Sequence, residues 1–216
     1  RATFLPKPLE RLTVNGCHVH VSVWDHEGNI AFADDNHDMG LSAEGHHFLG
    51  GIMQHATALT AITNPTVNSY KRINAPVTRS GATWSPNTVP WTGNTRPPMV
   101  RVPGPGRFEL RLPDGAANPY LLQSAIIAAG LSGLDSQADP GKPLFINMYT
   151  EASKARGAKK LPLNLLDALR AFDRDKALKS ALGDAFSAAY LKLKHAEWEA
   201  FKAHLSEWER TYTLDI

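Results

Sequence analysis

The chain has 216 residues, of which 43% are hydrophobic and 20% charged, with a formal net charge of +2. This composition is typical of a globular protein, and no apolar run approaches the roughly 18 residues needed to span a bilayer. The densest basic stretch, residues 153–160, lacks interleaved aromatic residues and favours a solvated loop over a nucleic-acid surface. The single cysteine, Cys17, excludes an intrachain disulfide and fits a reducing cytoplasm.

The first predicted element is an extended segment over residues 3–24, interrupted by the sequence PKP and by an Asn-Gly turn at residues 15–16. Within it, the stretch NGCHVHVS places His18, His20 and Ser22 at alternate positions. Alternate side chains of a strand lie on one face. The two imidazoles are therefore predicted to share a face, while the intervening valines pack into the core.

Helices are predicted where apolar residues recur at helical spacing. The first starts after Ser42, a favourable N-cap residue, and ends at about Thr63, before an Asn-Pro pair. The second follows Asn118, with a proline in its first turn, and ends near Gly133.

The last quarter of the chain is predicted to be helical, with a short helix over residues 164–172 and a long one from about Asp184. An apolar stripe along the long helix predicts packing against the core rather than binding of a partner. The stripe consists of Leu191, Trp198, Phe201, Leu205 and Trp208.

Residues 68–107 are dense in proline, glycine, tryptophan, asparagine and arginine, and we predict an irregular region there. Long loop regions inside a compact domain are commonly functional or disordered. The tryptophans Trp84 and Trp91 argue against disorder.

A second strand with a polar face is predicted from the alternating sequence GRFELRLPD, residues 106–114. Its apolar face consists of Phe108, Leu110 and Leu112. The opposite face places Glu109 between Arg107 and Arg111. A carboxylate between two arginines is compatible with a surface ion-pair ladder, a structural network, or a cleft that handles anions and a metal.

The histidine pair by itself also suggests zinc, but zinc would need further soft ligands, and the side chain of Cys17 points away from the face of His18. Arginine can donate two parallel hydrogen bonds to a phosphate or carboxylate. The region before the second strand adds Lys71, Arg72, Arg96 and Arg101. Several arginines, a carboxylate and an imidazole indicate a hard metal that bridges phosphate oxygens, and hence phosphoryl transfer to an acceptor that these patterns do not identify.

Four segments resemble, in the same order, motifs of the glutamine synthetase family. KPLERLTVNGCHVHVS (residues 7–22) is similar to the ATP-site signature of that family. NPTVNSYKR (64–72), NTRPPMVRV (94–102) and RFELRLPDGAANPYL (107–121) are similar to its later motifs. The resemblance covers nearly the whole chain, and within the family it is closest to a bacterial type III group near γ-glutamylmethylamide synthetases.

The resemblance implies an α+β fold, in which a curved antiparallel sheet forms part of a funnel and helices pack outside. It implies ATP-dependent phosphorylation of glutamate to γ-glutamyl phosphate, followed by attack of ammonia, with Mg²⁺ or Mn²⁺ as cofactor. The implied partners are glutamate, ATP, and ammonia or a small amine, with no nucleic acid or membrane. The complete protein is expected to be a cytoplasmic homo-oligomer, a ring dodecamer.

The resemblance also implies roles for individual residues. His18 and Glu109 match metal ligands. The residues that match the ATP side are His20, Ser22, Arg96 and Arg107. The residues that match glutamate binding are Asn15, Gly16, Arg72 and Arg111. Arg96 and Arg101 match the arginines that stabilise the transferring phosphate, as catalytic residues.

Residues 1–216 are expected to be the C-terminal part of the catalytic domain. The other metal-binding glutamates of the family lie upstream of this segment, as does the small N-terminal domain that completes the active site of a neighbouring subunit. The chain is therefore expected to hold about half a site and to be inactive by itself.

Three positions bear on substrate and regulation. The family usually has a glutamate after the SYKR motif that closes the site and deprotonates ammonium, but Asn74 takes that place here, followed by an insertion over residues 78–94. Gly104 stands where a lysine near the nucleotide is common in some members. Tyr149 lies in the sequence NMY, which resembles a site of regulatory adenylylation.

Two alternatives stand beside an ammonia-dependent ligase. One is a ligase that uses methylamine or another small amine, which Asn74 supports. The other is a non-catalytic member or fragment that serves as a binding or structural protein. The clustered charges of His18, Glu109, Arg101 and Arg111 argue against a degenerate member, because drift would remove costly charges first, but not against a fragment.

Overall fold

The computed structural model of the chain describes residues 2–10, 12–75, 85–93, 98–145 and 158–214. The strands of these residues are β1 (Val19–Val21), β2 (Trp91–Thr92), β3 (Val100–Gly104) and β4 (Arg107–Leu110). The helices are α1 (Ala43–Thr63), α2 (Ser69–Ile73), α3 (Pro119–Asp135), α4 (Leu165–Arg174), α5 (Lys176–Leu182), α6 (Asp184–Ala203) and α7 (Glu207–Tyr212). This mixture confirms the expected α+β class.

The four strands form one sheet in the order β1-β4-β3-β2. β4 pairs antiparallel with both β1 and β3, whereas the two residues of β2 pair parallel with β3. The sheet is therefore mixed at one edge rather than antiparallel throughout. The predicted extended segment over residues 3–24 forms only the short strand β1.

The predicted two-faced character of β4 is confirmed. Phe108, Leu110 and Leu112 are fully buried in the hydrophobic core. Phe108 lies 5.9 Å from the ring of Phe48 on α1 and 6.4 Å from Phe32. Burial of each such side chain contributes roughly 1.5–3 kcal/mol, so this apolar face fixes which way the charged face points.

Helix α1 begins and ends where its sequence predicts. The Ser42 hydroxyl accepts a hydrogen bond from the Gly45 N–H at 3.1 Å, and Asn64 follows the last turn. α1 packs against α3 at very short range, since a Cβ on Gly51 would lie 2.1 Å from the carbonyl oxygen of Ala129. Only glycine permits the two helix backbones to approach so closely.

The other helix predictions are confirmed with small shifts in their ends. α3 follows Asn118 but continues two residues past Gly133. Asn164 caps α4 through the Asp167 N–H. The irregular region 68–107 was predicted without regular structure, and this is wrong for α2, β2 and β3. β3 accommodates Pro103 and Gly104 with a register shift between Arg101 and Gly104.

The prediction for the long C-terminal helix is correct for its first half only. Leu191 and Trp198 pack against the core. The helix ends at Ala203, and Ser206 with Glu209 forms a capping box that begins α7, so Leu205 lies between two helices. Phe201 is 43% exposed and Trp208 is 64% exposed. The prediction that they pack against the core is therefore wrong.

A buried polar contact joins three of the helices. His55 of α1 lies 2.6 Å from the Asp175 carboxylate through Nδ1, and 3.1 Å from the Ser132 hydroxyl through Nε2. Asp175 in turn caps α5 by accepting from the Leu178 N–H at 3.0 Å. No helix among the described residues is both long and apolar enough to cross a bilayer.

Candidate active site

A buried carboxylate lies at the centre of the charged face of the sheet. Glu109 is 3% exposed. Its Oε1 lies 2.9 Å from His18 Nδ1 and 3.0 Å from Arg111 Nη1. Its Oε2 lies 2.9 Å from Arg101 Nε. A single carboxylate is therefore in contact with one imidazole and two guanidinium groups.

The sheet register brings these groups together. His20 of β1 and Arg101 of β3 are both direct partners of Glu109 on β4. Residues directly opposite each other on neighbouring strands project from the same face. His18 and Arg111 lie two residues away along their chains and share that face. The structure thus brings together four of the predicted site residues around Glu109.

The surroundings of His18 favour a neutral imidazole. Burial lowers the pKa of His18, and the positive charges of Arg111 and Arg72 lower it further, while Glu109 acts in the opposite direction. A neutral imidazole can donate to Glu109 or offer a lone pair to a metal. His18 can therefore serve as a ligand at neutral pH.

His18 and Glu109 fit the metal-binding role that the family implies. Two adjacent ligands of an octahedral ion with bonds of about 2.1 Å stand about 3 Å apart, which matches their 2.9 Å separation. Glu109 Oε2 is buried and, although close to Arg101, accepts no well-directed hydrogen bond. Within the described ranges, no group of three or more His, Cys, Asp or Glu is placed to hold a metal. The described part of the chain therefore brings together two side chains of metal-ligand type, His18 and Glu109.

Arg72 lies beneath the residues predicted to hold glutamate. It is 1% exposed, and its Nη1 and Nη2 donate to the backbone carbonyls of Leu112 and Arg111 at 2.7 and 3.1 Å. Burial lowers the pKa of Arg72 to about 10, so it stays charged at neutral pH. A Cβ on Gly16 would lie 3.1 Å from Arg72 Nη2 and 3.5 Å from His18 Nε2.

Asn15 and Gly16 are held beside the end of β4. The Asn15 N–H donates to the carbonyl of Pro6 at 2.8 Å, and Gly16 forms an isolated bridge with Asp114. A Cβ on Gly115 would lie 2.6 Å from Asn15 Nδ2. Asn15 and Gly16 therefore lie next to Arg72 and to the end of β4.

Two of the predicted ATP-side residues, Ser22 and Arg107, lie further along the same strands. Arg107 is exposed at the start of β4 and pairs with Gly104. Ser22 follows β1, one step beyond the pair Val21–Phe108, and its hydroxyl accepts from the Trp24 indole at 3.2 Å. Among the described residues, no atom lies within 4 Å of a Cβ on Gly104. Ser22 and Arg107 are exposed and lie outside the buried cluster.

Several predicted positions fall outside the described residues. They are Arg96, Trp84, Tyr149, residues 153–157 of the basic stretch, and residues 78–84 and 94 of the insertion. Asn74 is described, at the end of α2. Its amide donates to the carbonyls of Tyr70 and Leu163, both at 2.8 Å, and so joins α2 to the segment before α4.

Two buried residues behind Arg72 were missed as candidates by sequence reasoning. Asn64 donates to the Leu112 carbonyl at 3.0 Å and to Asp114 Oδ2 at 2.9 Å. Burial raises the pKa of Asp114, against the hydrogen bond from Asn64 and the charge of Arg72. The signal available was an Asn-Pro after a helix and an Asp after a strand, which sequence analysis treats as simple stops.

Comparisons with known proteins agree with this geometry. Residues 1–213 match the family described as glutamine synthetase, catalytic domain. A glutamine synthetase of Rhizobium leguminosarum bv. phaseoli is 69% identical over 217 residues, covering 100% of this chain and 50% of the relative. A glutamate–methylamine ligase of Methyloversatilis universalis is 44% identical over 220 residues, covering 99% of this chain and 49% of the relative. A solved complex of GmaS with ADP has a TM-score of 0.93 and 58% identity, covering 100% of this chain and 50% of that chain.

The fold and these matches define the class of the protein as a catalytic domain of mixed α+β architecture, like that of GmaS. The chain belongs to the glutamine synthetase family, as the four sequence motifs predict. It spans about half the length of the relatives that it matches.

Proposed function

We propose that the chain is part of an ATP-dependent ligase that forms glutamine from glutamate and ammonia through γ-glutamyl phosphate. The observation that carries this proposal is the buried Glu109 in contact with His18, Arg101 and Arg111. Such a cluster places positive charge and metal ligands where a phosphoryl group can transfer. The names of its relatives, glutamine synthetase and glutamate–methylamine ligase, support a ligase.

In this proposal the chain's residues divide the work between the two substrates. The glutamate side consists of Asn15, Gly16, Arg72 and Arg111. The ATP side consists of His20, Ser22, Arg96 and Arg107. Arg111 and the buried positive charge of Arg72 attract the carboxylates of glutamate, so that the γ-carboxylate oxygen faces the γ-phosphorus in line with the leaving ADP.

Arg101 and Arg96 neutralise charge on the phosphoryl group as the bond to ADP breaks and the bond to the glutamate oxygen forms. His18 and Glu109 would hold Mg²⁺ or Mn²⁺, which when bound supplies positive charge to the phosphate oxygens. The amine then attacks the acyl phosphate carbon, phosphate leaves, and the nitrogen loses a proton. Contact with Glu109 at 2.9 Å holds the Arg101 guanidinium in place before these steps.

Methylamine is the second candidate for the amine. The identity of 58% with GmaS and of 44% with a glutamate–methylamine ligase supports it, as does Asn74 in place of the expected glutamate. The remaining ligands and the rest of the site are supplied, in our proposal, by the other half of a full-length homo-oligomer, a ring dodecamer. A non-catalytic role for the segment alone remains the third candidate.

The function is tested by ADP release from the full-length protein with Mg²⁺, ATP and glutamate, comparing ammonium with methylamine. We expect turnover with an amine from the full-length protein and none from the 216-residue chain alone. The preferred amine identifies the ligase. A folded full-length protein that releases no ADP with either amine would overturn the proposal.

A second prediction concerns the choice of amine. Asn74→Glu is expected to shift the preference towards ammonia by about tenfold, because a carboxylate can accept a proton from ammonium and narrows the space for a methyl group. The measurement is the ratio of kcat/KM for ammonium and methylamine. Asn74→Ala is the matched control, since it also removes the hydrogen bonds to Tyr70 and Leu163 but adds no carboxylate. An unchanged ratio would indicate that residues 78–94, rather than residue 74, determine the choice of amine.

A further inference from the structure

The asparagine before α2 makes an unusual pair of hydrogen bonds. Asn68 Oδ1 accepts from the backbone N–H of Lys7 at 2.7 Å, and Asn68 Nδ2 donates to the backbone carbonyl of Lys7 at 3.0 Å. Both bonds cross 61 residues of chain. The amide thus pairs with both backbone groups of one residue, as a neighbouring strand would. We call this pair of bonds the Asn68 clamp.

The clamp replaces a local role that asparagine ordinarily performs. Asn68 stands at the N-cap of α2, a position where asparagine commonly caps the helix with its side chain. Here its side chain makes no capping hydrogen bond. The amide of Asn68 bonds to the distant Lys7 instead of capping α2. We therefore take the contact with Lys7 as the structural role of this side chain.

The clamp joins two parts of the proposed glutamate site. On one side, Lys7 lies in the loop that the Asn15 N–H closes onto the Pro6 carbonyl at 2.8 Å. The Lys7 ammonium also donates to the Leu12 carbonyl within this loop. On the other side, the helix that begins after Asn68 carries Arg72, whose Nη2 approaches Gly16.

Among the described residues of the loop, Pro6 and Lys7 are buried, whereas Leu9 and Leu12 are both 57% exposed and contribute little packing. The buried end of the loop is therefore the part that approaches α2. The two hydrogen bonds from Asn68 join this end directly to the start of the helix. A shift of the loop would carry Asn15 and Gly16 away from Arg72, and small displacements of binding groups have large kinetic effects.

We propose that Asn68 is a positioning residue that holds the loop of residues 6–15 against α2, so that Asn15 and Gly16 stay at a fixed separation from Arg72. This inference rests on the proposed function, because it takes Asn15, Gly16 and Arg72 as residues of the glutamate site. It predicts that Asn68 affects binding of glutamate far more than binding of ATP.

The test compares full-length protein with Asn68→Ala and Asn68→Asp. Asn68→Ala removes both bonds and is expected to raise the KM for glutamate about tenfold, with the KM for ATP nearly unchanged. Asn68→Asp keeps an acceptor for the Lys7 N–H and loses the donor, so an intermediate KM is expected. Ser206→Ala is the matched control, since it removes a side chain that caps α7 and contacts none of these residues.

Amide hydrogen exchange, measured on the same proteins, separates the clamp from the function. In Asn68→Ala, the amides of Lys7 and Asn15 are expected to exchange about tenfold faster, and in Ser206→Ala they are not. Unchanged exchange overturns the clamp. Faster exchange with an unchanged KM for glutamate in an active enzyme overturns the positioning role. If the unsubstituted protein releases no ADP, the proposed function fails and this role fails with it, while exchange still decides whether Asn68 holds the loop.

Discussion

Replacement of Glu109 by glutamine is expected to abolish ADP formation by the full-length protein, with a loss of about a thousandfold or more in kcat. Glutamine has the same size and can reach the same neighbours. It lacks the negative charge that a metal ligand needs, and its amide N–H would face the donors of Arg101 or Arg111. The measurement is the initial rate of ADP release over a range of Mg²⁺ concentrations.

Loss of folding must be separated from loss of chemistry in this variant. Removing one partner of a buried ion pair can cost about 3–5 kcal/mol, so Glu109→Gln is also expected to unfold at a lower temperature. His55→Ala is a suitable control, since it is destabilised at a contact on elements that carry none of the proposed site residues. Turnover by Glu109→Gln comparable to that of His55→Ala, per folded molecule, would refute the metal-ligand role.

His55→Ala is expected to have a large effect on stability without touching the proposed site. It leaves the partly buried Asp175 carboxylate without its imidazole partner and opens a cavity beside α1. We expect a loss of about 3 kcal/mol in the free energy of unfolding, or a Tm lower by about 6–12 °C in a chain of this size. Thermal unfolding followed by circular dichroism measures it.

Ser132→Ala gives the internal comparison for that prediction. It removes only the neutral bond to His55 Nε2 and is expected to cost about 1 kcal/mol. Ser132 lies inside α3, where the hydrogen bonds of the helix already use the backbone N–H groups. Ser132, His55 and Asp175 therefore lack the backbone donors that stabilise an oxyanion beside a catalytic serine. If His55→Ala and Ser132→Ala lowered the free energy of unfolding equally, the His55–Asp175 pair would not supply most of the stabilisation.

The same contact predicts a dependence on pH. Burial acts to raise the pKa of Asp175, but hydrogen bonds from His55 and from the Leu178 N–H hold it below its ordinary value. Because this pKa is lower in the folded state than in the unfolded chain, the Asp175 carboxylate stabilises the fold at pH values above about 3.9, the pKa in the unfolded chain. The stabilisation is lost as the pH falls through the lower pKa of the folded state. The difference in Tm between wild type and His55→Ala should therefore narrow below about pH 4.

Sequence reasoning located the charged faces of β1 and β4 because a strand alternates its side chains with a period of two residues. That rule alone puts Glu109 with Arg111 and His18 with His20. It could not show that Arg101 contacts Glu109, since this depends on β3, which lies in the region predicted to be irregular. Nor could it show the burial of Arg72 or the Asn68 clamp, which join residues distant in the chain.

The error at the C-terminus has a different cause. The apolar spacing continues from Leu191 to Trp208 as though one helix ran throughout. The sequence also contains Ser206 followed three residues later by Glu209, a capping box that marks a new helix start. Here the local capping signal was present and outweighed the longer periodicity.

The position of β1 at the edge of the sheet has a practical consequence for work with this chain alone. In the described sheet β1 pairs with β4, so its other side offers backbone N–H and C=O groups to any extended segment nearby. Trp24, which follows β1 closely in the chain, is 59% exposed and would favour such pairing. Pairing between copies of the chain becomes faster as the protein concentration rises. We therefore expect concentration, more than temperature, to limit how long the purified chain stays monodisperse.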